Sequence, residues 1–189
     1  MHLTLIRHGK TNWNSRGLLM GRKDIPLNDT GKQEAKKLNN YFRNFTDFSL
    51  FSSPLKRCLQ TAEIATDTLY SIVEDFIEID AGPWTGIPKD VLMQKYPDSW
   101  RKWRSGCSIF PNQETYHQVQ KRVVKAIKNL ISKEKTNHIM IVTHSGVIRS
   151  FLAYILNKQF EEIEKKYVVS SGGIVECSFD NKWKLDGIK

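Results

Sequence analysis

Ile139-Met140-Ile141-Val142-Thr143-His144-Ser145-Gly146-Val147-Ile148-Arg149-Ser150-Phe151-Leu152-Ala153-Tyr154-Ile155-Leu156 is the longest apolar stretch of the chain, and its reading decides the fold class. It is long enough to be weighed as a membrane span. His144, Ser145, Gly146 and Arg149 interrupt it near the middle, where hydrocarbon tolerates charge poorly. A buried strand through Thr143, followed by a buried helix from Val147 to Leu156, accounts for it better. The chain begins the same way. Leu3-Thr4-Leu5-Ile6 is a continuous run bounded by Arg7-His8-Gly9, the form of a strand covered on both faces. Met1 leads straight into it, without the basic region, apolar run and cleavage site of a secretory leader.

Outward from these two stretches, strands and helices alternate. Gly17 to Asp29 is rich in Gly, Pro, Asn and Asp and reads as a loop. A helix is expected from Thr30, where Thr30 and Gln33 have capping-box spacing; Ala35, Leu38, Phe42 and Phe45 form its core face. Phe48 to Phe51 reads as the second strand. Ser53-Pro54 then reads as the cap and first turn of a helix running through Leu55, Leu59, Ala62 and Leu69. Ile72 to Ile79 is the third strand candidate. Val119, Val123, Ile127, Leu130 and Ile131 mark a long amphipathic helix, and Ile174 to Phe179 a late, antiparallel strand. From Gly82 to Asn112 the chain changes character, with three of its five tryptophans, Trp84, Trp100 and Trp103. The pattern predicts one α/β domain over residues 1–189: three layers, a mostly parallel central sheet with helices on both faces, and a small helical lid insertion at about 82–112.

A length of 189 residues suits one domain with a full core, and 40% hydrophobic against 26% charged residues excludes a largely disordered chain. Lys and Arg outnumber Asp and Glu by 29 to 20, a net charge of +9 that favours anionic partners. Nucleic acid and a phosphorylated metabolite both satisfy it. Cys58, Cys107 and Cys177 are odd in number and widely separated, which points to a reducing cytoplasm. No zinc spacing is visible among them. His2, His8, His117, His138 and His144 show no paired ligand spacing either, so neither a metal nor another cofactor is expected.

Four polar clusters fall just past expected strands: Arg7-His8, Ser52 to Arg57, Glu78 and His144. Open α/β sheets bind ligands at that edge, and four clusters there describe a shared pocket. LIRHGKTNWN (Leu5 to Asn14) resembles the Arg-His-Gly signature of the histidine phosphatase superfamily, which includes the phosphoglycerate mutases. The resemblance continues in order through SSPLKRCLQTAEI (Ser52 to Ile64), EIDAGPWTG (Glu78 to Gly86), PNQETYHQVQKRV (Pro111 to Val123) and VTHSGVIR (Val142 to Arg149), and so spans most of the chain.

The resemblance implies a metal-independent phosphatase whose nucleophile is His8. Neutral imidazole is nucleophilic near pH 7, and a phosphohistidine is readily hydrolysed. Arg7 and Arg57 would clamp the phosphoryl oxygens, since guanidinium offers a bidentate fork. His144, held protonated, would stabilise the charge. Ser145 at the following helix N-terminus, Asn14 and Gly21 would contact the bound group; a plain cap or loop role fits Asn14 nearly as well. The acid that protonates the leaving oxygen is not the Asp that follows the second histidine in one branch, because Ser145 stands there. In the mutase-like branch it is a glutamate ahead of Gly-x-x-x-Gly, and Glu78 with Gly82 and Gly86 occupies that place, with Glu74 and Asp80 nearby. Many relatives have Glu after Arg-His-Gly; this chain has Lys10, at the pocket mouth or in solvent. Lys89, Lys95, Arg101, Lys102 and Arg104 lie in the lid, where relatives contact the non-reacting part of the substrate; an exposed charged face on a helix packed through Trp100 and Trp103 explains them equally.

The expected substrate is small, anionic and phosphorylated: a sugar phosphate, phosphoglycerate or ribazole phosphate of the kind taken by alpha-ribazole and broad-specificity phosphatases. Neither nucleic acid nor membrane is expected as a partner. A phosphoglycerate-type mutase is the alternative, disfavoured by the short stretch between Gly86 and Glu114. A phosphate- or nucleic-acid-binding protein on the same fold is a further one, and it would have no need of His8, Glu78 and His144 together.

Overall fold

The computed structural model describes residues 1–189. In chain order its elements are β1 (His2–Arg7), α1 (Asn12–Ser15), α2 (Asp29–Phe42), β2 (Ser49–Ser52), α3 (Lys56–Ala65), β3 (Tyr70–Ile72), α4 (Lys89–Lys95), α5 (Pro97–Arg104), α6 (Tyr116–Lys133), β4 (His138–Thr143), α7 (Ser145–Leu156), α8 (Phe160–Lys166), β5 (Ile174–Asp180) and β6 (Lys182–Ile188). Short 3-10 turns at Glu74–Phe76 and Gly82–Trp84 lie between β3 and α4.

The strands form one six-stranded sheet in the order β3-β2-β4-β1-β5-β6. The first four are parallel, and β5 and β6 close one edge antiparallel. Both faces are covered. Leu3, Leu5, Ile139 and Ile141 point to the face packed by α6 and α7, while Ile6, Met140 and Val142 point to the face packed by α2 and α3. That two-sided burial is why these strands read as unbroken apolar runs. Truncating the fully buried Phe151 of α7 to Ala would cost about 3–5 kcal/mol. No helix is long and apolar enough to cross a membrane.

Several local expectations shift. The third strand is Tyr70–Ile72 alone; Ile72 is half exposed, and Phe76 and Ile79 enter the core from a turn beyond the sheet. Glu78 therefore stands in a loop, not at a strand end. Helix α2 begins one residue before Thr30, capped by Asn28, whose Oδ1 accepts from the Gly31 N–H at 2.9 Å. Ser53 is no cap: Leu55 precedes α3, which ends at Ala65 and leaves Leu69 93% exposed. The late strand is one arm of a hairpin whose second arm, β6, was not anticipated, nor was α8. The tryptophan-rich stretch holds α4 and α5, with Trp103 fully buried in the core.

Parallel register aligns the functional edge. Arg7 lies opposite Thr143 and Ser52 opposite Val142, so the residues that follow, His8, Ser53 and His144, emerge together at the C-terminal ends of three adjacent strands.

Candidate active site

A cavity of about 90 Å³ opens at this edge. One end is formed by Arg7, His8, Asn14, Gly21, Glu78 and Ser145. His8 is buried, and its Nδ1 lies 2.7 Å from the Gly9 carbonyl oxygen. A carbonyl can only accept, so Nδ1 carries the proton and Nε2 keeps its lone pair. Burial, and then the charges of Arg57 and Arg7, push the His8 pKa well below the ordinary histidine value, which keeps the ring neutral. The Gly9 N–H donates to Thr61 Oγ1 at 3.0 Å, tying the loop to α3.

His144 follows β4, with its ring 5.2 Å from that of His8, centroid to centroid, in an edge-on arrangement. Arg57 Nε donates to its Nδ1 at 3.2 Å, and Ser53 Oγ lies 2.7 Å from its Nε2. An Nδ1 that accepts from a guanidinium carries no proton, so His144 is neutral in this arrangement, whereas the resemblance implies a protonated ring beside a bound phosphate. Burial lowers its pKa well below the ordinary value, with Arg57 the next cause. Arg57 also departs from its expected place. Fully buried, it donates to the carbonyl oxygens of Lys23 at 2.8 Å and Gly21 at 3.0 Å and does not line the cavity. It is spent on the backbone of the Gly21 loop and on orienting His144. Cys58 sits against the same ring, its thiol pushed up to about 12 by burial and so inert.

Asn14 lines the cavity while serving in the capping box of α1. Its Oδ1 accepts from the Thr11 N–H at 3.0 Å, which leaves the amide nitrogen as its free donor. Ser145 opens α7, whose first amides have no partner within the helix. Lys10 does not line the cavity.

Glu78 is held from both directions. Its Oε1 accepts from the Ile79 N–H at 2.9 Å and its Oε2 from the Gly146 N–H at 3.3 Å. A Cβ on Gly146 would lie 2.3 Å from Oε1, so any side chain at that turn of α7 would push the Glu78 carboxylate out of place. The Glu78 carbonyl accepts from Arg22 Nε at 3.2 Å, and Glu114 binds Arg22, the Asp80 N–H and, at 2.8 Å, Arg122 Nε. This clamp gives a purpose to the 111–123 stretch that the sequence alone did not.

The opposite wall combines two lid residues that the resemblance pointed to, Lys89 and Arg104, with two residues that it did not, Arg149 and Glu164. Lys89, Arg104 and Arg149 line it with Glu164, Trp100 and Phe160. Arg104 is not on an exposed face. It is 8% exposed and caged by aromatic rings, 4.8 Å from the centroid of Tyr116 and 4.9 Å from that of Phe160, with the Tyr116 hydroxyl and Glu164 as polar partners. Arg149 NH1 donates to Glu164 Oε1 at 3.1 Å. Lys89 stands at the rim, solvent-facing on one side; packing on the other, and then Arg7, Arg104 and Arg149, lower its pKa. The Nε donors of Arg7, Arg104 and Arg149 are all buried without a partner. Such orphans are uncommon, but they lie behind the cavity surface; what favours an anionic occupant is the cationic lining of Arg7, Lys89, Arg104 and Arg149.

A sequence model of the histidine phosphatase superfamily (branch 1) matches residues 3–186. The phosphatase PhoE of Bacillus subtilis is 32% identical over 184 residues, covering 96% of this chain and 90% of the relative. Phosphoserine phosphatase 1 of Hydrogenobacter thermophilus is 34% identical over 160 residues, covering 82% of this chain and 75% of the relative. Among solved structures, a variant phosphoserine phosphatase from Entamoeba histolytica in complex with phosphoserine superposes with a TM-score of 0.87 at 27% identity, covering 99% of this chain and 95% of that one.

Proposed function

The chain belongs to branch 1 of the histidine phosphatase superfamily and is a phosphoric monoester hydrolase, and on that premise we propose that it acts through a phosphohistidine on His8, with Glu78 as general acid and base, on a small phosphorylated acid. The observation that carries the reading is the state of His8: neutral, its Nδ1–H fixed on the Gly9 carbonyl, its Nε2 lone pair free in a cationic cavity.

In the first step His8 Nε2 attacks phosphorus and the bond to the ester oxygen breaks, while Glu78 passes its proton to the leaving alkoxide. In the second, Glu78 takes a proton from water as its oxygen attacks the phosphohistidine, and inorganic phosphate leaves. Arg7, the Asn14 amide and the Ser145 N–H that opens α7 hold the phosphoryl oxygens, and positioning with charge stabilisation does most of the work. His144, neutral on Arg57 and Ser53, supports the far side of the His8 ring. Residues 1–189 act as one catalytic domain, and the 82–112 segment roofs the cavity. No metal takes part in this scheme. Lys89, Arg104 and Arg149 on the opposite wall support a substrate with a second anionic group.

The test is phosphate release from a panel of phosphomonoesters, with chelator present, comparing the wild type with His8→Ala. Chelator-resistant release that the substitution abolishes is the expected result. Retention of most activity in His8→Ala would end the phosphohistidine scheme, and rapid isomerisation of phosphoglycerate with little free phosphate would indicate a mutase.

A further inference from the structure

The His8 ring rests on a single peptide unit, Gly9–Lys10, that is held at both ends. Its C=O accepts from His8 Nδ1 at 2.7 Å, and its N–H donates to Glu34 Oε2 of α2, also at 2.7 Å. In a trans peptide these two groups point in opposite directions, so Glu34 and the imidazole face each other across one planar unit. Helix α2 comes this close because glycines stand at the crossing. A Cβ on Gly31 would collide with the Lys10 carbonyl, and one on Gly9 with the Gly31 carbonyl. Glu34 is one turn on from Gly31 and shares its face. The N–H of Asn28, the cap of α2, donates to the Lys10 oxygen at 3.0 Å and fixes the same crossing.

Resting on the phosphohistidine reading above, we propose that Glu34 is a positioning residue for the reaction, acting on His8 through the Gly9–Lys10 peptide. A carboxylate that accepts from an amide N–H makes a charge-assisted bond and shifts the electron density of the peptide toward its oxygen. The Gly9 carbonyl thereby becomes a stronger acceptor for the Nδ1 proton, and Nε2 a better nucleophile. The arrangement does for His8 what a carboxylate bonded directly to Nδ1 does for other reactive imidazoles, with one peptide unit interposed. No proton moves along it. Burial, and then Arg57 and Arg7, depress the basicity of the ring, and the Gly9 hydrogen bond is the contribution that opposes them. Glu34 touches neither the phosphorus nor the leaving oxygen.

Glu34→Gln and Glu34→Ala separate the charge from the hydrogen bond. Gln keeps an oxygen for the Lys10 N–H without the charge, and Ala removes both. The rate to follow is kcat/KM for p-nitrophenyl phosphate, which covers only the steps through attack by His8. Glu34→Gln should lower it about three- to tenfold, the difference between a charge-assisted and a neutral hydrogen bond. Glu34→Ala should lose about tenfold or more; if it does not fold, the Gln variant, which keeps the bond, decides alone. The accompanying signature is the His8 Nδ1–H proton resonance in isotope-labelled protein, which should move upfield in Glu34→Gln as its bond to Gly9 weakens. An anchor that only holds the loop would be rescued in full by Gln, so wild-type kcat/KM with an unmoved resonance would overturn the proposal. Either change without the other would also overturn it, because the effect would then not run through His8. Activity surviving in His8→Ala would take down the phosphohistidine reading and this proposal with it. An inactive His8→Ala beside an unaffected Glu34→Gln would take down this proposal alone.

Discussion

The two ends of the cavity are built on different principles. At the reactive end, His8, His144 and Ser145 sit on or directly after strands, and nearly every polar atom is committed: His8 to Gly9, His144 to Arg57 and Ser53, Glu78 to two backbone amides. At the opposite end the charged groups are long side chains, Arg104 of α5, Arg149 of α7 and Glu164 of α8, which leave the wall net cationic. A preorganised end suits chemistry, where positional error is costly. A cationic wall of long side chains suits recognition, where the substrate supplies the complementary charge. Substitutions at the reactive end should therefore lower kcat whatever the substrate, and substitutions at the wall should discriminate between substrates.

The sharpest break of that contrast is His8→Ala. Loss of the nucleophile should reduce turnover on the order of 10^4-fold or more for every ester tried. Glu78→Gln comes next, at about 10^2- to 10^4-fold, the range of general acid–base catalysis. Gly146→Ala tests the same group without touching it, since the added methyl would collide with Glu78 Oε1. Its kcat should fall for all substrates while the thermal melt moves little. A normal kcat in Gly146→Ala would mean that Glu78 need not stand where the α7 amide holds it.

The difference between the ends also explains what could be read in advance. The sheet and its three layers follow from unbroken apolar runs. The residues at its edge are legible because a residue after a strand goes where the strand points. Glu78 was harder to place: the apolar residues from Ile72 to Ile79 look like a strand, but Phe76 and Ile79 reach the core through a turn. The contacts that occupy Arg57 were not legible because its acceptors, the carbonyls of Gly21 and Lys23, belong to a loop whose path no periodicity reveals. The far wall stood between two readings, a substrate contact and an ordinary charged surface, because residue type alone does not show which side of α5 faces the cavity. Its one available signal is spacing. Trp100, Trp103 and Arg104 are related as i, i+3 and i+4, and so are Phe160, Ile163 and Glu164. Each set shares a helix face, so the charged member of each is turned inward with the apolar pair.

Arg149→Met sharpens the contrast from the wall side. It should lower kcat/KM about 10- to 100-fold for esters bearing a carboxylate and far less for p-nitrophenyl phosphate. An equal loss for both would mean that the wall serves the chemistry and not recognition.

A smaller effect separates the ends by pH. The pKa values of His8 and His144 are held well below the ordinary 6.5, burial being the main cause. The acid limb of kcat/KM should therefore lie below pH 6.5, because the nucleophile stays neutral there. Stability follows the same sign. Below about pH 6.5 the unfolded chain takes up protons that the folded rings refuse, so stability declines as pH falls, by up to about 1.4 kcal/mol per pH unit for each ring. Above that pH the two rings contribute no slope. Urea unfolding between pH 7.5 and 5.5 measures it, and His144→Asn should flatten it. A slope that His144→Asn leaves untouched would show that the ring is already charged in the folded state.

The smallest expected effect is at Lys10, next in sequence to the reactive end yet outside the cavity. Its backbone N–H donates to Glu34 at 2.7 Å, and its side chain does not reach the lining. Lys10→Glu, which installs the residue many relatives have there, should change kcat/KM less than about twofold at 0.15 M salt, where an exposed charge is screened beyond roughly 8 Å. At low ionic strength the loss should grow, because the reversal subtracts from the positive field that draws anions to the cavity. A large loss that persists at high salt would place the Lys10 ammonium in direct contact with substrate, and the reactive end would then share the open, substrate-completed character that the structure reserves for the far wall.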